Sequence, residues 1–174
     1  MPDDVRSQHP VDRLIRDLIA TRRSASAQEI SSIVDRMASA SFNPGTDVPV
    51  RTKHRGLAYQ GQVLGARTSS LTYHLIKRVV DDNQWAFGTT AEEYLDDLHQ
   101  VVRSQRVRIA VYERRGGCLA AALAVNEIPI EHRGVDALPW VLVVFSADRG
   151  TIVSGYQTST DLLTNIPGDA LWLT

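Results

Sequence analysis

The prediction of the fold depends most on the stretch Ser70-Leu-Thr-Tyr-His-Leu-Ile-Lys-Arg-Val-Val-Asp-Asp-Asn-Gln-Trp-Ala-Phe-Gly-Thr-Thr90. Its apolar residues recur at helical spacing, which predicts a helix with one buried stripe: Leu71, Leu75, Ile76, Val79 and Val80. His74, Lys77 and Arg78 stand at positions i, i+3 and i+4, so they share one face of that helix. An imidazole that titrates near neutral pH beside two cations is typical of sites that bind or cleave phosphate esters.

The residues after this helix predict one more helix and then two hairpins. Gly88 interrupts the first helix, and Thr89 or Thr90 begins a capping box for the next, which ends near Ser104. Alternating or continuous apolar residues predict four strands, over 107–112, 118–125, 140–146 and 151–158. On the last strand, Ile152, Ser154, Tyr156 and Thr158 are expected to share one face. The apolar tail, 161–174, is expected to dock on the domain.

The residues before Ser70 predict a helical hairpin. Apolar stripes over 11–23 and 27–40 predict two helices, the second starting at a capping box formed by Ser26 and Glu29. A DNA-binding helix-turn-helix is disfavoured because the second helix offers a groove only one basic residue. Residues 41–50 are rich in turn formers and mark a boundary. Residues 56–65 predict only a short strand or an extended segment.

Together these elements predict an α+β protein. Its helices pack on one face of a four-stranded antiparallel sheet, and the helical hairpin precedes this core. We predict two parts, an N-terminal hairpin extension over residues 1–45 and an α+β core domain over residues 46–174.

The composition limits the cellular compartments in which we expect the protein. A single cysteine, Cys118, excludes an internal disulfide and favours a reducing compartment. No apolar run is long enough to span a bilayer, and the first residues lack the apolar core of a secretory signal. We therefore expect a cytoplasmic location, in the protein's own cell or in a target cell, with no membrane partner.

Charge is unevenly distributed along a chain whose net charge is −1. Residues 48–80 carry six Lys or Arg and no acid, whereas residues 81–98 carry six acids and no Lys or Arg. This segregation is compatible with a basic patch, and equally with charges that scatter in space and only solvate the surface.

The site we predict is a cleft between the helix and the last strand. His74, Lys77 and Arg78 would face Ser154, Tyr156 and Thr158 across it. RNA cleavage without metal needs a base for the 2′-hydroxyl, an acid for the leaving oxygen and cations for the phosphorane. His74 would be the base or the acid, Lys77 or Arg78 would hold the phosphate, and Tyr156 would stack a base or donate its hydroxyl. Ser154 and Thr158 would hydrogen-bond the phosphate or the ribose.

The order of these elements resembles the superfamily of ribonuclease toxins that groups barnase, EndoU and RelE. The resemblance covers roughly residues 70–160. It rests on the helix with His74 and Lys77-Arg78, on the connection from Trp85 to Tyr94, and on a final hairpin that contains Ile152-Val-Ser-Gly-Tyr-Gln-Thr158. It implies metal-independent cleavage of RNA, often tRNA, by a toxin with a neutralising immunity or antitoxin protein. It also implies roles for the helix histidine with its basic neighbours and for the hydroxyl and aromatic residues of the last strand.

Other interpretations compete with this one. His74 is equally compatible with a solvated surface position, and Tyr156 with a core position. A second function is a non-catalytic protein-binding or dimerisation module, which would use the apolar face of the hairpin: Leu14, Leu18, Ile30 and Ile33. A third is an RNA binder that uses the same cleft without cutting. The other histidines are scattered and no cysteines are paired, so we expect neither a metal nor a cofactor.

Overall fold

The computed structural model describes residues 5–159 and 166–174. Its four α-helices are α1 (Pro10–Thr21), α2 (Ala27–Met37), α3 (Ser70–Ile76) and α4 (Ala91–Val102). A π-helical segment, Lys77–Asp81, continues α3 directly, and short 3-10 turns lie at Thr52–His54 and Ile130–His132. Two small antiparallel pairs precede α3: β1 (Val48–Pro49) with β4 (Arg67–Thr68), and β2 (Ala58–Tyr59) with β3 (Gln62–Val63). Among these described residues, no helix combines the length and apolarity needed to cross a membrane.

The main sheet is antiparallel and confirms an α+β fold. Its strands are β5 (Arg108–Arg114), β6 (Gly117–Val125), β7 (Trp140–Ser146), β8 (Thr151–Thr158) and β9 (Leu171–Trp172), in the order β8-β7-β6-β5-β9. The sheet has five strands rather than the predicted four, because the end of the tail pairs with β5. Residues 160–165, which include the start of the predicted tail, lie outside the described residues.

The two faces of the sheet pack against different partners. Every second residue of the central strands, such as Ile109 and Val143, belongs to one large buried cluster that also contains apolar residues of all four α-helices. The alternate residues, such as Tyr112 and Leu142, form a smaller cluster with Ile166 and Ala170 from the tail. The site described below lies where the first cluster meets the free edge of β8.

The N-terminal hairpin shares the core of the sheet. Its buried side chains, Ile15, Leu18, Ile33 and Met37, are fully enclosed in the large cluster. Polar contacts join it to the turn after β7: Arg16 Nη1 donates to the carbonyl of Ala147 at 2.7 Å. A boundary near residue 45 therefore does not separate two cores, and the division into two parts stays a prediction. Leu18 and Ile33, which the alternative function would use, are not exposed to a partner.

The prediction that Ile152 shares a face with Ser154, Tyr156 and Thr158 is wrong, because β8 contains a β-bulge. The register shifts so that Phe145 opposes Ile152 while the adjacent Val144 opposes Ser154, which leaves Val153 as an extra residue. Ile152 belongs to the large cluster on the helical side. Tyr156 packs with the smaller cluster on the other side, together with its neighbours across the strand pair. Ser154, Tyr156 and Thr158 thus share one face, but Ile152 does not.

β8 is an outermost strand of the sheet, and groups from four segments form hydrogen bonds with its outer edge. The amide of Ile152 donates to the carbonyl of Ser41 at 2.9 Å. Further along, the amide of Gln157 donates to Gln84 Oε1 at 2.8 Å. His74, Arg78 and Tyr94 bond to the strand between these two points, as described below. Because an uncovered edge strand invites pairing with another chain, these contacts protect the sheet.

Candidate functional site

His74 is partly buried, between α3 and the edge of β8. Its ring contacts the ring of Phe42, with centroids 5.4 Å apart. Burial lowers the pKa of His74 to about 3, and the charges of Arg78 and Lys77 add to this shift. The ring hydrogen-bonds the backbone of Val153, while the buried Nδ1 has no partner among the described residues. An imidazole with this pKa is neutral near pH 7 and takes up protons weakly, so His74 is a poor candidate for proton transfer.

Arg78 is a structural link between the π-helical segment and β8. Its Nε donates to the carbonyl of Gly155 at 3.0 Å, and its Nη1 lies 2.5 Å from Asp82 Oδ2. Nη2 donates to Ser154 Oγ at 3.4 Å, and the guanidinium carbon lies 5.2 Å from the ring centroid of Tyr156. With every nitrogen engaged and the side chain buried, Arg78 has no free edge to offer a phosphate.

The structure thus brings together only some of the predicted site residues. Arg78 contacts Ser154 and Tyr156, as the packing of the helix on the last strand required. Thr158 pairs with Trp140 at the end of the strand, and none of its described hydrogen bonds reaches Lys77 or Arg78. Lys77 is partly exposed and, among the described residues, its ammonium group has no carboxylate partner.

Lys77 belongs to a set of three cations that we call the cation group: Arg51, Lys53 and Lys77. Burial lowers the pKa of Lys77, as do the positive charges of Arg78, Arg51 and Lys53, whereas Asp82 raises it. Arg51 and Lys53 are exposed at the 3-10 turn, and no ion pair with either occurs among the described residues. Part of the acid-free stretch therefore forms a patch in space, which favours the patch over scattered charges.

A chain of three polar side chains adjoins the cation group, and the sequence interpretation missed it. His54 is buried; its Nδ1 lies 2.6 Å from the hydroxyl of Tyr73 and its Nε2 lies 3.2 Å from Asp81 Oδ2. Arg51 also donates its backbone N–H to the Tyr73 hydroxyl, at 3.4 Å. Tyr73 and Asp81 both lie in the stretch 70–90, so that stretch contains two of the three members. His54 stands in an irregular segment, where no periodic pattern indicates burial or partners.

Two other features lie away from this group. His132 contacts Asp97 through Nδ1 at 2.8 Å and Glu93 through Nε2 at 2.9 Å, which ties the Ile130–His132 turn to α4. A cleft of about 500 Å³ lies beside them, lined by residues of α4 and of the connection after β6. Across residues 5–159 and 166–174, no three His, Cys, Asp or Glu side chains are arranged to hold a metal ion.

Comparisons with known proteins find no match: no family model, no curated protein and no solved structure is significantly similar to this chain. The resemblance to the ribonuclease toxins therefore stays a prediction.

Proposed function

We propose that the protein is a metal-independent endoribonuclease of toxin type, which cleaves RNA through attack of a 2′-hydroxyl and leaves a 2′,3′-cyclic phosphate. The observation that carries the proposal is the cation group beside the Tyr73 hydroxyl. Among the described residues, Arg51, Lys53 and Lys77 have no carboxylate partner, and the first two are close enough to lower the pKa of Lys77. The backbone N–H of Arg51 donates to the Tyr73 hydroxyl, one helical turn before Lys77. Such a surface attracts a phosphodiester and stabilises the charge of its transition state.

Both lysines of the chain belong to this group. Lys53 and Lys77 are the two lysines in the sequence, whereas the arginines are spread over most of its length. An ammonium group is a compact charge whose pKa shifts readily, and Lys77 already has a lowered pKa. Lys77 therefore suits two tasks, to hold a phosphate oxygen and to give a proton to the leaving 5′-oxygen.

Three of the other predicted site residues, Arg78, Ser154 and Tyr156, attach the π-helical segment to the last strand. Arg78 anchors the π-helical segment to β8 through Gly155 and Ser154. This attachment fixes the backbone of Lys77, its neighbour in the chain. In this proposal Arg78, Ser154 and Tyr156 position the segment, and Lys77 binds the RNA.

Cleavage of RNA by the purified protein tests the proposal. Wild type and Lys77→Ala are incubated with total RNA and with tRNA in EDTA, and the products are separated on a denaturing gel. We expect discrete fragments with 2′,3′-cyclic phosphate ends from the wild type, and at least about a hundredfold slower cleavage by Lys77→Ala. Oligonucleotides with 2′-deoxyribose at the cut site should resist, because they lack the attacking hydroxyl.

Arg103→Ala is the matched control, since it removes a cation from the end of α4, where the guanidinium lies 3.4 Å from Asp35. Its cleavage rate should equal that of the wild type. A folded wild type that leaves every RNA intact would overturn the proposal, as would equal activity in Lys77→Ala.

A further inference from the structure

The polar chain beside the cation group has the form of a proton relay. Its members come from three elements: His54 from the 3-10 turn, Tyr73 from α3 and Asp81 from the end of the π-helical segment. The two hydrogen bonds use both ring nitrogens of His54, at 2.6 Å and 3.2 Å. His54 is only 1% exposed, whereas the side chain of Asp81 is 44% exposed and Tyr73 is partly exposed.

The direction of each hydrogen bond follows from the chemistry of the groups. An ionised aspartate only accepts, so the proton of a neutral His54 lies on Nε2 and is donated to Asp81. Nδ1 is then an acceptor, and the Tyr73 hydroxyl donates to it. The backbone N–H of Arg51 donates to the Tyr73 oxygen from another side. The carboxylate thus fixes the tautomer that lets His54 receive the proton of Tyr73.

The surroundings of Tyr73 supply the charges that an RNA substrate needs. Tyr73 and Lys77 are four residues apart along continuous helix, so they lie on the same side of it. Arg51 is also close to Tyr73, because its backbone N–H donates to the same hydroxyl. A phosphodiester held by the cation group would therefore lie next to a phenol that is already paired with a buried histidine.

We propose that Tyr73 is the catalytic residue that takes the proton from the attacking 2′-hydroxyl, and that His54, oriented by Asp81, is the positioning residue that receives the proton of Tyr73. This inference rests on the proposed function and deepens it. The 2′-O–H bond breaks and its proton passes to the Tyr73 oxygen, while the Tyr73 proton passes to His54 Nδ1. The 2′-oxygen forms a bond to phosphorus, and the bond from phosphorus to the 5′-oxygen breaks.

The remaining proton movements close the cycle. The leaving 5′-oxygen takes a proton from the Lys77 ammonium and departs as a hydroxyl. Lys77 then regains a proton from water, and the His54 imidazolium loses its extra proton through Tyr73 to water. Asp81 stabilises the imidazolium while it exists. No oxidant, reductant or metal is required by this sequence of steps.

Kinetics of three conservative variants test the relay: Tyr73→Phe, His54→Asn and Asp81→Asn. The substrate is a short RNA that the wild type cleaves, and circular dichroism checks that each variant is folded. We expect Tyr73→Phe and His54→Asn to lower kcat by about a hundredfold or more, because each removes proton transfer. KM should change by less than about threefold, since the cation group is intact. Asp81→Asn should lower kcat less, because its amide still fits but favours the wrong tautomer.

Tyr59→Phe is the matched control, because it removes a phenol that is also hydrogen-bonded, to the carbonyl of Thr89 at 2.6 Å. Its kcat should stay near that of the wild type. The two proposals fail in different ways. A wild type that cleaves no RNA overturns the proposed function and the relay with it. A wild type that cleaves, together with a Tyr73→Phe variant of unchanged kcat, overturns the relay alone. A His54→Asn variant with unchanged kcat removes the positioning role of His54.

Discussion

Gln84 and Gln157 hold each other's backbones across the edge of the sheet. Gln84 Nε2 donates to the carbonyl of Gln157 at 3.1 Å, and Gln157 Nε2 donates to the carbonyl of Gln84 at 2.8 Å. Gln157 Oε1 also accepts the backbone N–H of Leu138 at 2.8 Å. Both side chains are buried, so the pair replaces the strand that β8 lacks on this side.

Removal of this amide pair should destabilise the fold. Gln157→Ala deprives the amide of Leu138 of its partner, and a buried unsatisfied group costs about 1–3 kcal/mol. The carbonyl of Gln84 loses one of two partners, because it still accepts the backbone N–H of Gly134 at 3.0 Å. We expect a loss of about 1–3 kcal/mol in the free energy of unfolding, measured with urea. Gln28→Ala, at an exposed position of α2, should change it by less than about 0.5 kcal/mol. Equal midpoints for the two variants would contradict the importance of the pair.

His74 should make the stability depend on acid pH. In the unfolded chain an ordinary histidine has a pKa of about 6.5, whereas burial lowers the pKa of folded His74 to about 3. Between these values the unfolded state binds the proton and the folded state does not. Stability should therefore fall as the pH is lowered from about 6.5 towards 3, by up to about 1.4 kcal/mol per pH unit from this residue.

A comparison of His74→Phe with wild type isolates this contribution. Urea unfolding at pH 7 and at pH 5 should show a smaller loss on acidification for the variant. His9→Asn, at an exposed position that caps α1, should keep the wild-type loss. If His74→Phe and wild type lose stability equally, His74 does not supply the pH dependence.

Arg78 should act mainly on stability. Arg78→Lys keeps the charge but cannot donate at once to Gly155, Asp82 and Ser154, because an ammonium lacks the planar fork of a guanidinium. We expect a loss of about 1–3 kcal/mol in urea unfolding. Ser154→Ala should cost less than about 1 kcal/mol, since its bond of 3.4 Å is long. A wild-type midpoint for Arg78→Lys would show that the guanidinium geometry contributes nothing.

The cation group should determine how RNA binding responds to salt. For a single strand, the slope of log K against log salt is about −0.7 for each phosphate neutralised. Lys53→Ala and Arg51→Ala should each make this slope less steep by about 0.7, measured by fluorescence anisotropy with a 2′-O-methyl RNA. Arg103→Ala should leave the slope unchanged. Identical slopes in all four proteins would place the RNA elsewhere on the surface.

Elements with a clear period could be predicted from the sequence. The strands 140–146 and 151–158 match β7 and β8, and the capping box of Ser26 and Glu29 is present at the start of α2. These signals are local, because strand alternation and helix caps depend on residues a few positions apart. The proximity of Arg78 to Ser154 and Tyr156 also followed from the assumption that the helix packs on the last strand.

Features that depend on distant partners could not be predicted. The bulge at Val153 appears only when β8 is counted against β7, so alternation within the strand conceals it. The fifth strand has only two residues, Leu171–Trp172, too few for a periodic signal. The low pKa of His74 arises from enclosure by β8 and Phe42, which a helical pattern does not report. His54 and Asp81 are 27 residues apart and meet through folding alone.

The backbone of Gly155 is one place where the helices approach the sheet closely. A methyl group at this Cα would lie 2.5 Å from the side chain of Leu98 on α4, and the carbonyl of the same residue accepts hydrogen bonds from Arg78 and Tyr94. At this point α4 can approach the sheet so closely because residue 155 has no side chain. A larger side chain at this position would push α4 and β8 apart. The carbonyl that accepts from Arg78 would move with β8, and so would the helical turn that carries Lys77. The distance between α4 and the sheet at Gly155 thus affects the position of the proposed RNA-binding surface.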